Sequence, residues 1–446
     1  MTEKKKLTLF ALTWPIFIEI FLHMLMGNAD TLMLSQYSDN AVASVGVSNQ
    51  ILSVIIVMFG FVATGTAILV AQHLGAKSGE EAAEVSGAAI TLNLIFGLLL
   101  SVILYVFSAP ILKMMDLPGE LMDSSRSYLQ IVGGLAFIQA LIMTISAIIR
   151  SYGYTRDTMY VTMGMNALNV IGNYLFIFGP FGIPVLGVTG VAISTAASRF
   201  LGLLVLAWLL HRRLSHNLSF AQFIRIKRGH VANLLKIGIP SAGEHLSYNG
   251  SQIAITYFVA AMGTEALTTK VYAQNIMMFI FLLAVAIGQG TQIMIGRLVG
   301  AGKTDEAYYR CIKSLKLAVI FSLGASAAAS LFAEDLLHIF TDNDQIIQTG
   351  ALLIYMTLLL EPGRAFNLVI INSLRAAGDV RFPVYIGILS MWGVSVTVSY
   401  LLGITLGLGL AGVWIAFSLD EWLRGILMLK RWNNRKWASM RFVRPV

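Results

Sequence analysis

Long, nearly unbroken apolar stretches, such as Leu94–Phe107 and Ile276–Ile287, alternate along the chain with short polar clusters. A spanning helix needs about 20 residues, whereas a membrane strand alternates apolar and polar positions over about 10. The stretches here do not alternate, so the pattern predicts helices. Twelve spans follow, at 8–34, 41–72, 84–108, 125–149, 158–179, 187–210, 237–260, 266–296, 311–333, 346–372, 383–403 and 408–428. The loops between them are short and leave no room for a soluble domain. Lys4-Lys5-Lys6 ahead of the first run resembles the start of a signal peptide. No small-residue cleavage site follows, however, and the run carries Glu19, His23 and Asp30, so it is read as span 1.

Composition agrees with the pattern. The 446 residues are 57% hydrophobic and 12% charged, against about 45–50% and about 25% in soluble domains. A soluble enzyme and a disordered chain are excluded. With one cysteine, Cys311, so is a disulfide scaffold. The expected class is an all-α polytopic membrane protein, because in lipid every backbone polar group must be satisfied internally.

The net charge of +8 would suggest nucleic acid in a soluble protein; here its placement matters more, and no nucleic-acid partner is expected. Of 31 Lys and Arg, about 26 fall on the side of the termini and two (Lys113, Arg126) on the other, while three (Arg199, Lys270, Arg364) lie within spans. The positive-inside rule puts both termini in the cytoplasm. The basic stretch Arg212–Lys236 becomes the long loop between spans 6 and 7, setting topology or touching anionic lipid.

The chain repeats itself at an offset of 225. Pro15 matches Pro240, Glu19 matches Glu244, and Ala41 matches Ala266. Gly65-Thr66, Gly75-Ala76 and Glu81-Ala82 match Gly290-Thr291, Gly300-Ala301 and Glu306-Ala307. Arg150, Gly153 and Arg156 match Arg375, Gly378 and Arg381. After a three-residue slip, Gly187 and Gly190 match Gly409 and Gly412. Two six-span halves are implied, and six being even, they run parallel. The expected domains are an N-terminal lobe (1–210), a cytoplasmic linker (211–236), a C-terminal lobe (237–430) and a basic cytoplasmic tail (431–446). Repeats of this kind are typical of secondary transporters, with the substrate site between them.

Ionisable residues within a span are costly and mark candidate sites. At about 100° per residue, Glu19, His23 and Asp30 share one stripe of span 1 within about 40°. Asp30 lies about 35 Å along the axis, in the outer half. A carboxylate there can bind and release protons, as coupling requires; it can also be a helix-packing group. Glu19 and His23, at i,i+4, can pair. Asn166, Asn169 and Asn173 fall on one face of span 5, as a ladder that orients a carboxylate or as glue between helices. Glu244 mirrors Glu19, but Ile255 stands where Asp30 would be mirrored, so the N-terminal half holds the stronger titratable cluster. In span 10, Glu361 and Arg364 flank Pro362-Gly363, as a buried pair or a gate, and the Pro-Gly permits a kink. Arg199 and Lys270 are expected to snorkel or pair.

Twenty Met and 10% aromatics suit an adaptable apolar cavity, although lipid contact explains most of them. No GxxxxGK[ST] is present, so no ATP motor is encoded, and there is no HExxH, GxSxG or Cys/His cluster. No cofactor, resident metal or catalytic residue is expected.

Several segments together resemble the multidrug and toxic compound extrusion (MATE) family of prokaryotic type. They are Asn28–Ser35, Gly46–Gln50, Gly65–Ala76, Ile149–Arg156, Asn169–Gly179 and Leu374–Pro383. Each is weak alone; their order and spacing are specific, and the likeness covers essentially the whole chain. The resemblance implies two six-helix lobes around a central cleft, and export of organic cations and other amphipathic compounds in exchange for H⁺ or Na⁺. Asp30 falls at the family's coupling aspartate, Asn169 and Asn173 on its span-5 polar positions, and Thr195 on a nearby span-6 hydroxyl. Many members have Asp where this chain has Asn173, which removes one of two carboxylates from the N-lobe.

The resulting expectation is an ion-coupled multidrug antiporter of the plasma membrane, working as a monomer by alternating access with Asp30 as the coupling site. Asn173 and His23 favour H⁺, since Na⁺ prefers several anionic oxygens. The alternatives are a lipid-linked precursor flippase, which would want more basic residues in its cleft than Arg199, Lys270 and Arg364, and a non-transporting scaffold or receptor.

Overall fold

The structure is a computed structural model describing residues 8–214, 222 and 226–443. Lys4-Lys5-Lys6 and positions 215–221 and 223–225 of the predicted linker lie outside the described residues. A helix occupies each predicted span, and no strand occurs among the described residues. In chain order the helices are α1 (Leu9–Ser35), α2 (Asp39–Gly75), α3 (Gly79–Val106), α4 (Gly119–Gly133 and Ala136–Ser151), α5 (Thr155–Phe178) and α6 (Gly187–Leu214). Then come α7 (Arg228–Ala261), α8 (Thr264–Gly300), α9 (Thr304–Leu331), α10 (Asp344–Ala377), α11 (Arg381–Thr405) and α12 (Gly409–Asn433). Among the described residues nine are long and apolar enough to cross a membrane, or ten when the two parts of α4, bent by 42°, count as one. The other two, α7 and α12, fall short of that length-and-composition measure; α12 carries Asp420, Glu421, Arg424, Lys430 and Arg431. The chain is a multi-span helical membrane protein.

The packing logic is that of lipid rather than water. On α3, Ile95, Leu99, Val102 and Val106 form an exposed stripe at helical spacing, while Asn93, Gly97 and Ser101 are buried. Small residues let backbones approach: a Cβ at Gly97 would come within 2.9 Å of Phe137 Cα. Asn93 fastens the same contact, donating to Ala140 O at 3.0 Å and to Thr144 Oγ1 at 2.6 Å.

Irregularities have local causes. The α4 bend follows a π-turn at Leu129–Gly133 and falls at a Gly-Gly pair. Two further π-turns, Met391–Val396 and Tyr400–Thr405, interrupt α11. Pro362 sits inside α10, which continues without a break. The two halves turn corners alike: Gly153 follows α4 with φ +94°, and its repeat mate Gly378 follows α10 with φ +103°.

The chain divides into two compact units. One comprises Ile18–Leu74 and Ser78–Gly238; its core includes Phe59, Leu104, Leu129 and Val191. The other comprises Met1–Phe17, Gly75–Lys77 and Ile239–Val446; its core includes Ile255, Val259, Leu360 and Trp414.

Candidate functional site

In the first unit a buried chain of polar groups joins α1, α5 and α6. Asp30, one helical turn from the end of α1, is buried and accepts a hydrogen bond from Asn173 Nδ2 at 2.6 Å. The same nitrogen reaches Asn169 Oδ1 at 3.3 Å. Asn169 Nδ2 in turn donates to Thr195 Oγ1 at 3.1 Å, and Ser194 Oγ donates to the Asn169 carbonyl at 2.9 Å. Asn169 and Asn173 meet because residues four apart share a helix face. Asn173 Oδ1 is buried and accepts no hydrogen bond among the described residues. Asn166, the third rung, points elsewhere: it donates to the Leu22 carbonyl at 2.8 Å and ties α5 to α1. Of the three rungs, Asn173 touches the carboxylate, Asn169 links Asn173 to Thr195, and Asn166 joins α5 to α1.

Two further groups enter this neighbourhood. Tyr128 is buried, its hydroxyl 3.4 Å from Asn49 Oδ1 and beside Thr195. Arg199, one turn beyond Thr195 on α6, is half-buried and close enough for its charge to act on Asp30 and Tyr128. It forms no ion pair within 4.0 Å among the described residues. The i,i+4 spacing of Thr195 and Arg199 was the available sequence signal for that placement. Lys270 is buried and donates to Thr256 Oγ1 at 2.6 Å.

Glu19 and His23 do not pair. Glu19 is buried, accepting from Arg150 at 2.9 Å and from Thr158 Oγ1 at 3.0 Å. His23 is exposed. The second unit repeats the arrangement, with Arg375 donating to Glu244. Both partners of each pair obey the offset of 225, so the repeat itself could have revealed them.

The second unit holds a larger buried network than its sequence suggested. The expected pair forms, Arg364 donating to Glu361 at 2.8 Å. On α12, Arg424 bridges Asp420 at 2.7 Å and Glu421 at 3.0 Å, and Asn367 donates to Glu421 at 2.8 Å. Asp420 also accepts from Ser390 at 2.5 Å. Arg364, Asp420, Glu421 and Arg424 line a cavity of ≈ 30 Å³ with Tyr248 and Gln274, room for about one or two waters. Asp420, Glu421 and Arg424 at i, i+1 and i+4 were the missed signal.

The chain is similar to known membrane transporters along most of its length. The MatE family model matches twice, at residues 15–175 and 240–401, and the two starts differ by the repeat offset. The chain is 56% identical over 435 residues to the uncharacterized transporter YisQ of Bacillus subtilis, covering 98% of this chain and 96% of the relative. It is 28% identical over 433 residues to the probable multidrug resistance protein NorM of Thermotoga maritima, covering 97% and 93%. An outward-facing multidrug resistance MATE family transporter of the MOP superfamily superposes with TM-score 0.88 at 20% identity over 97% of this chain and 96% of that one. A MOP superfamily transporter from Pyrococcus furiosus does so with TM-score 0.87 at 20% identity, covering 97% and 95%. These structural likenesses show the fold.

Proposed function

We propose that this chain, which belongs to the MatE family of membrane transporters, exports small cationic or amphipathic molecules from the cytoplasm in exchange for H⁺, with Asp30 as the proton site. The observation that carries the reading is the buried Asp30–Asn173 hydrogen bond and its continuation through Asn169 to Thr195. The multidrug-resistance names of relatives such as NorM support the substrate class. The charge bias supports cytoplasmic termini in the plasma membrane.

An amide can serve both protonation states of a carboxyl group. Towards the anion it presents N–H, as Asn173 does here. Towards the protonated form it can rotate and accept O–H on Oδ1, which is otherwise without a donor. That rotation withdraws Nδ2 from Asn169 and loosens the link to Thr195, so the proton's arrival is felt on α1, α5 and α6 together. It also leaves Arg199 without the charge it faces. Protonation from outside thus favours repacking of these helices and release of the exported molecule, and deprotonation inside resets the site. The single carboxylate, met by the Asn173 Nδ2 donor, suits a proton better than Na⁺, which prefers several hard oxygens.

The test is Asp30→Asn in a host stripped of its own exporters. Drug resistance should be lost at unchanged membrane abundance; resistance equal to wild type overturns the assignment.

A further inference from the structure

We propose that His73, Glu81 and His230, with Glu84 beside them, form a binding site for a divalent transition-metal ion of the zinc class. His73 lies at the end of α2, Glu81 and Glu84 in the first two turns of α3, and His230 in the first turn of α7, all in one unit. One ligand atom from each of His73, Glu81 and His230 lies within 4.8 Å of the others. His230 Nε2 is 3.3 Å from Glu81 Oε2 and 3.1 Å from Glu84 Oε2. Tetrahedral zinc, with bonds of about 2.0–2.2 Å, sets neighbouring ligand atoms about 3.3 Å apart. His230 and Glu81 are thus already at the required spacing, and an ion would draw the three ligand atoms, now within 4.8 Å of one another, closer together.

Three observations favour an ion over a plain salt-bridge cluster. The His73 Nδ1 atom is buried and has no hydrogen-bond partner among the described residues, a cost that ligation or a bound ion's hydration would remove. The Lys227 ammonium meets both Glu81 and Glu84, holding the place of a cation. A divalent ion in its stead would balance both carboxylates with two neutral imidazoles. Finally, the repeat mates of His73, Glu81 and Glu84 are Leu298, Glu306 and Tyr309. Among the described residues Glu306 pairs locally, with Lys303 at 2.6 Å. The histidines are thus an addition to the first half rather than part of the duplicated plan. Mixed imidazole and carboxylate donors select zinc-class ions over Mg²⁺ or Ca²⁺. Occupancy would pin the α2–α3 turn to the first turn of α7. No sequence motif could announce the site, since its two histidines are 157 positions apart.

The experiment uses tag-free, chelator-washed full-length protein in detergent, titrated with Zn²⁺ by calorimetry and with Co²⁺ by visible absorption. One Zn²⁺ per chain and the intense Co²⁺ bands of a tetrahedral site are expected, with Mg²⁺ inert. His73→Ala and the surface variant Glu81→Gln should each weaken binding about tenfold or more, and Lys227→Met should strengthen it. Absence of saturable Zn²⁺ binding by wild type, or equal affinity in His73→Ala and Glu81→Gln, would overturn the proposal. Glu81 is partly exposed, so its variant remains informative even if the histidine variants fold poorly.

Discussion

Asn173 on α5 gives its side-chain amide to the Asp30 carboxylate on α1 across 2.6 Å, although 143 positions separate them. The account gives this amide two jobs, donor to the anion and acceptor from the acid. Asn173→Leu can do neither. Losing a buried partner costs about 1–3 kcal/mol, so export of a fluorescent cation from energised cells should slow about tenfold or more with abundance retained. Wild-type efflux in that variant would remove Asn173 from the mechanism.

The mirrored ion pairs should differ in weight. Arg375 and Glu244 are both well buried, whereas Arg150 is more exposed at 20%. Removing one partner of a buried pair costs about 3–5 kcal/mol, because the other charge is left uncompensated. Arg375→Gln should therefore lower the detergent unfolding midpoint more than Arg150→Gln. The double variant Glu244→Gln/Arg375→Gln should lose less than the sum of its singles.

Charge counting in the second unit gives a sharper contrast. Among the described residues Glu361, Asp420 and Glu421 form ion pairs with Arg364 and Arg424. Glu421→Gln leaves two carboxylates and two guanidiniums; Arg424→Met leaves three against one. Size-exclusion profiles should show folded Glu421→Gln protein and little folded Arg424→Met protein.

Gly378 combines φ +103° with a Cβ position 2.1 Å from the Met440 carbonyl oxygen. Gly378→Ala should destabilise by about 1–3 kcal/mol from backbone strain, and more from the clash. Gly393, with nothing within 4 Å of its Cβ position, is the control, and Gly393→Ala should leave the midpoint nearly unchanged.

Most of the helical plan was legible because lipid imposes long apolar runs, and the spans stand where those runs stand. Asp30, Asn169 and Asn173 stood out for a related reason: polar groups in such runs are few, and helical spacing says which share a face; Thr195 came only from the family resemblance. What spacing cannot give is the partner on another helix. Glu19 reads equally well beside His23, its i,i+4 neighbour, as beside Arg150, 131 positions away and its actual partner. The internal repeat held that information, since Glu and Arg recur together. The Asp420–Glu421–Arg424 network was missed although 408–428 was read as a span, because its partners Arg364, Asn367 and Ser390 lie on other helices.

The central claim is that proton binding at Asp30 drives export. Everted vesicles carrying the protein, acidified inside and reporting with acridine orange, test it most directly. Adding ethidium without Na⁺ should relieve the quenching in wild type and leave Asp30→Asn vesicles unchanged. Equal dequenching in both, or none in wild type across a panel of lipophilic cations, would contradict it.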